Sequence, residues 1–236
     1  MSLDMGTAVD GPEAPAPQQP RWVRPLVIVA AAVALLLIGA TAGLLIGLPG
    51  ASSTSSSPAA NSVDVGFAQD MTVHHEQAVE MAAWARDHTT DVQVKQLAFD
   101  IETTQLQQIG QMQGWLALWG QPSAPVGRDY MTWMADSGHS MSGMASAGAA
   151  RMPGMATDVD LRNLRAATGK DLDVLFLQLM LRHHVGGADM LQYAADRASE
   201  PVVRNLAAQA LSAQTSEAGL MRTMLGDRGA QPLPQN

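Results

Sequence analysis

The 236-residue chain has room for one ordinary domain plus accessory segments, and its formal net charge of −8 leaves no basic stripe for nucleic acid. It contains 15 methionines and no cysteine, which excludes disulfides, zinc–thiolate sites and thiol nucleophiles. Thioethers without thiols suit soft-metal binding in an oxidising compartment, and an Ala- and Met-rich chain with 4% aromatics favours helices over strands.

In chain order, residues 1–24 form a Pro-, Gly- and Ala-rich tail without apolar periodicity, predicted to be disordered and cytoplasmic. Arg21 and Arg24 then precede Leu26–Leu48, an uncharged run that spans roughly 34 Å as a helix, enough for a hydrocarbon core of about 30 Å. The run is longer than the apolar region of a secretory signal, so residues 25–48 are predicted to be a single transmembrane anchor. The two arginines place the N-terminus in the cytoplasm and the rest of the chain outside. Gly39, Gly43 and Gly47 form a small-xxx-small stripe that could join two anchors in a homodimer. Residues 49–61 are a Ser/Ala-rich flexible linker.

From Asp64 onward the chain repeats itself at an offset of 109 residues. DVGFAQDMTVHHEQAVEMAAWARD at Asp64 matches DVLFLQLMLRHHVGGADMLQYAAD at Asp173, and the register continues without a gap through Leu116 and Leu225. Each copy reads as a helical hairpin. Phe67, Met71, His74, Ala78, Met81 and Ala85 mark one face of a helix, and Val94, Ala98, Ile101, Gln105, Gln108 and Met112 mark one face of the next. Pro201 fits the first turn of the last helix. Two hairpins with apolar stripes bury them against each other, so the fold class is all-α: a four-helix bundle over residues 62–228. Repeat one covers 64–119, a Met-rich crossover 120–170, repeat two 171–226, and a tail 229–236. The crossover holds a short helix from Asp158 to Ala167, with Thr157 as N-cap and Gly169 as its stop. So long a crossover permits a ferritin-like arrangement.

Both stripes carry polar residues at core positions. His74 and His183 fall near the centre of their stripes, and His75 and His184 at the edge. Gln105, Gln108, Gln214 and Glu217 on the partner helices face inward as their supporting shell. Buried polar groups of this kind must satisfy one another or a bound ion. Met71, Met81, Met180 and Met190 lie within two helical turns of the His pairs and can share their face. In the crossover, Met131/Met134, Met141/Met144 and Met152/Met155 form three pairs, with His139 among them. Imidazole and thioether together select copper, with Cu(I) favouring sulfur and Cu(II) favouring nitrogen and oxygen. Packing and a hydrogen-bonded polar layer are the structural alternatives. A di-iron site requires Glu-x-x-His on two helices, and the sequence has none.

These repeats resemble the domain-of-unknown-function 305 family over roughly residues 61–226. The likeness is carried by DVGFAQDMTVHHEQAVEMA, LAFDIETTQLQQIGQMQGWL, MPGMATDVDLRNLRAATGKDLDVLFLQLMLRHHVGGADML and LAAQALSAQTSEAGLMRTML. The resemblance implies a ferritin-like fold and, by analogy with some members, extracytoplasmic copper binding. It implies ligation at His74, His75, His183, His184 and the neighbouring methionines. The family's Gln-x-x-Glu is kept as Gln214 and Glu217, whereas Gln108 replaces the first Glu. HHVGGADM also departs from the usual HHQGA, so the two copies are expected to be inequivalent.

The leading expectation is a non-enzymatic, membrane-anchored protein that sequesters or relays copper, Cu(I) or Cu(II), outside the membrane. A structural or partner-binding helical module is the alternative, and a di-metal oxidoreductase the third.

Overall fold

The computed structural model describes residues 57–134 and 149–236. Among them are five α-helices: α1 (Val63–His88), α2 (Val92–Leu118), α3 (Asp158–Ala166), α4 (Gly169–Arg197) and α5 (Pro201–Asp227). A 3-10 turn lies at Thr132–Met134, and the described residues contain no strand. An antiparallel bridge joins Tyr130 to Ala149, tying together the chain on either side of residues 135–148. The fold is therefore all-α. The predicted anchor with Gly39, Gly43 and Gly47, the cytoplasmic tail and most of the linker lie outside the described residues. None of the described helices is long and apolar enough to cross a membrane.

The helix ends follow from local chemistry. The Ser62 hydroxyl accepts from the Val65 N–H at 3.2 Å and opens α1. Asp91 opens α2 by accepting from the N–H groups of Gln93 and Val94. Thr157 and Asp160 form a reciprocal capping box at the start of α3. Gly169 does not stop this helix, as the sequence had suggested. Ala167 is its C-cap, and Gly169, at φ 54°, is the first residue of α4. Pro201 occupies the first turn of α5 as expected.

Three-residue turns join α1 to α2 and α4 to α5, so each pair packs on itself as an antiparallel hairpin. The hairpins meet along α1 and α4, and α3 lies against α4 and α1. Two residues related by the repeat lace them together. Asp64 accepts from the backbone N–H groups of Ser199 and Glu200, in the turn before α5. Its counterpart Asp173 accepts from the Thr89 hydroxyl, in the turn before α2. Each hairpin thus fixes the turn of the other.

The core consists of two apolar clusters. One gathers Met81, Ile101, Phe176, Met180 and Met221; the other gathers Phe67, Met71, Met112, Met190 and Val203. On each of the four long helices the two clusters are separated by a short polar interval: His74 and His75, Gln105, His183 and His184, and Gln214. The sequence repeat therefore builds a polar layer across the middle of the core.

Candidate metal centre

All four histidines of the layer are buried, each at most 2% exposed. His74 and His183 meet where α1 crosses α4, with ring centroids 3.8 Å apart and planes tilted by 36°. His183 donates from Nε2 to the His74 carbonyl at 3.0 Å, and His74 donates from Nε2 to the Pro153 carbonyl at 3.3 Å. His75 donates from Nε2 to Gln108 Oε1 at 2.7 Å, and His184 from Nε2 to Glu217 Oε2 at the same distance. His75 and His184 therefore do not lie at the edge of the buried face: α2 and α5 close over them.

An imidazole that donates through Nε2 carries its lone pair on Nδ1. In all four rings Nδ1 is buried and has no partner within the protein. The same holds for both amide atoms of Gln105 and of Gln214. Of ten such side-chain atoms among the described residues, eight belong to these six residues. Each such atom would cost about 1–3 kcal/mol if left unpaired, so the layer calls for water or an ion as its partner.

Three of the rings, those of His74, His75 and His183, are also held neutral. Burial pushes His74 down to about 4, against the raising effect of its bond to Pro153. Burial, followed by the neighbouring His74, pushes His75 down to about 3. Burial and the adjacent His74, His184 and His75 hold His183 well below the ordinary histidine range. A neutral imidazole whose Nε2–H is anchored is the form that ligates a metal. The anchoring acceptors also fix which nitrogen is offered. Among the described residues, however, no three His, Asp or Glu side chains form a ready cluster for a metal ion. The donor set fits copper in chemical type, with amide oxygen or thioether sulfur needed to complete it.

The crossover returns over this layer through Met152–Met155. Beyond the bond from His74 to Pro153, the Gln77 amide donates to the Ala156 carbonyl at 3.0 Å and accepts from the Ala156 N–H at 2.6 Å. Gly154, at φ 78°, lies so close to α4 that a Cβ there would come within 2.5 Å of the Arg182 carbonyl oxygen. A Cβ on Gly186 would come equally close to the backbone of Gly154. Gln77 and Gly186 occupy equivalent positions in the two repeats, so one copy grips the crossover and the other makes room for it.

The expected methionines sort by position. Met71 and Met190 lie in one apolar cluster, together with Met152, and Met155 packs against it partly buried. Met81 and Met180 lie in the other cluster. Met134 is buried and Met131 half-buried near the 3-10 turn. His139, Met141 and Met144 lie outside the described residues. One feature was not foreseen: a buried Asp70 that gathers the start of the crossover. Its carboxylate accepts from the Met131 N–H, Trp133 Nε1 and Arg128, and Met131 adopts φ 66° to reach it. Burial holds this carboxyl above its usual range despite those three donors. No spacing rule links Asp70 to Arg128, 58 residues away.

Fold and layer together define a class: a duplicated helical hairpin with buried imidazoles at the crossing of its two copies. The chain belongs to the family described as Domain of unknown function (DUF305), which matches residues 64–225. A DUF305 protein of Streptomyces coelicolor, described as a candidate secreted protein, is similar at 43% identity with a TM-score of 0.66, over 75% of this chain and 99% of that one. A DUF305 fragment from Deinococcus radiodurans is similar at 31% identity and a TM-score of 0.56, over 70% and 96%. CopM in its Cu(I)-bound form shares the fold at 22% identity and a TM-score of 0.52, over 70% and 96%. No curated protein matches the chain.

Proposed function

We propose that this protein is a membrane-anchored, extracytoplasmic and non-enzymatic copper binder that sequesters the ion or relays it. The carrying observation is the layer of four buried imidazoles, each anchored through Nε2 and each with an unpartnered Nδ1. Thioethers stand above and below it in the ferritin-like bundle, Met71 and Met190 in one cluster and Met81 and Met180 in the other. Two likenesses support the reading. CopM, with the same fold, has been seen with Cu(I), Cu(II) and Ag bound. The Streptomyces relative is described as a candidate secreted protein. The uncharged run at 26–48 supplies the anchor, and its glycine stripe a route to a homodimer.

The test is a Cu(I) competition titration of the full-length chain in detergent micelles against a coloured chelator. The wild type is expected to compete. The double variant His74→Ala/His183→Ala is expected to lose about tenfold or more in affinity, the usual cost of disturbing a metal shell. Loss confined to a variant with the six crossover methionines 131, 134, 141, 144, 152 and 155 changed to Leu would move the site to the crossover. A second reading, a polar layer that only fixes helix register, is favoured by the acceptors that the Nε2 of all four rings already has and by the lack, among the described residues, of a three-residue cluster. A wild type that competes for neither Cu(I) nor Cu(II) would favour it and end the copper reading.

A further inference from the structure

The two halves of the histidine layer differ in ways that bear on where an ion arrives. His75, Gln105 and Gln108 in repeat one correspond to His184, Gln214 and Glu217 in repeat two. Both outer histidines use Nε2 at 2.7 Å, but His75 faces a neutral amide and His184 a carboxylate. A carboxylate on the far nitrogen makes an imidazole a stronger donor and holds it in one orientation.

A route to the imidazole is visible in repeat two. A crevice of about 120 Å³ opens between α4 and α5, with His184 and Gln214 in its wall beside Ala188, Thr215 and Ala218. Repeat one has larger apolar side chains at the last three positions: Val79, Leu106 and Ile109. The volume accommodates an ion with a few of its waters, at about 30 Å³ each. His184 and Gln214, 2% and 4% exposed, both carry buried polar atoms with no protein partner. Arg222 also lines the crevice, but its side chain is exposed and its charge is screened by solvent and salt.

We propose that copper is first captured as Cu(II) in the repeat-two half of the layer, by His184 and Gln214 through this crevice, with Glu217 as the positioning residue that strengthens His184. Imidazole nitrogen and amide oxygen suit Cu(II) better than Cu(I). The inference rests on the copper-binding reading above and adds to it a port, an order of filling and an oxidation state.

The experiment titrates Cu(II) into the full-length chain in detergent micelles, following stepwise affinity by calorimetry, the first equivalent by electron paramagnetic resonance, and uptake by stopped-flow tryptophan fluorescence. Glu217→Gln gives repeat two the pair that repeat one already carries, so folding is preserved. It is expected to weaken the first step about tenfold and to change the copper hyperfine spectrum. Gln108→Glu is expected to strengthen the second step, a gain that a merely structural role would not produce. Ala218→Ile, which restores the repeat-one side chain, is expected to slow uptake severalfold. Thr215→Leu, at an exposed position, tests the same port should the buried change disturb folding. Wild-type steps in Glu217→Gln, or wild-type uptake in a folded port variant, would overturn this inference while leaving copper binding intact. A wild type that binds no copper would overturn both.

Discussion

At the crossing of α1 and α4, one missing side chain decides where an imidazole lies. A Cβ on Gly187 would come within 2.9 Å of His74 Cε1. The ring has little room to retreat, because it rests on His183 and donates to Pro153. Gly187→Ala is therefore expected to destabilise the fold by about 1–3 kcal/mol, the range for overpacking a core. Gly219→Ala is the control: nothing lies within 4 Å of a Cβ on this α5 glycine, and removing its chain entropy should stabilise by up to about 1 kcal/mol. Urea denaturation of both variants measures the difference, and equal effects would show that His74 adjusts freely. The helical stripe made the burial of His74 and His183 legible in the sequence. It misplaced His75 and His184, because spacing along one helix does not reveal which flank a second helix will cover. Here the partners Gln108 and Glu217 stand 33 residues further on.

The long helices and the capping box of α3 could be read from periodicity and N-cap chemistry. The docking of the crossover could not, because it depends on backbone carbonyls and on the lack of a side chain at Gly154 and Gly186, which have no period. Gln77 is the side chain on which that docking turns. Gln77→Ala removes both bonds to Ala156, a residue only 4% exposed. The backbone N–H and C=O left behind should cost about 1–3 kcal/mol for each that finds no new partner. Hydrogen exchange should then speed up at residues 154–157 while the amides of α2 and α5 keep their protection. Unchanged exchange at 154–157 would mean that the close approach of Gly154 to α4 is enough to hold the crossover, without help from α1.

Across the whole molecule, the duplication places like residues at the same depth, so chemistry that is minor in one copy is compounded at the centre. Three buried histidines whose proton affinity is depressed in the fold regain their ordinary affinity, near pH 6.5, when the chain unfolds. Between about pH 6.5 and the folded values, near 4 for His74 and 3 for His75, the unfolded chain binds more protons than the native one. The stability from keeping these rings neutral is thus complete above pH 6.5 and is lost on acidification through that window. Each ring contributes a slope of up to about 1.4 kcal/mol per pH unit. Asp70, whose carboxyl is raised, has the opposite sign: it adds stability below its unfolded value of 3.8 and loses it as pH rises through the folded one. That is one group against three, and over most of the histidine window the histidines prevail. Urea midpoints of the metal-free protein should therefore fall steadily from pH 7 to pH 4.5, and the fall should be shallower in His74→Gln/His183→Gln, which removes two of the three titrating rings. A midpoint that does not change between pH 7 and pH 5 would mean that the rings accept protons in place, and the layer would then have to be wetter than its burial implies.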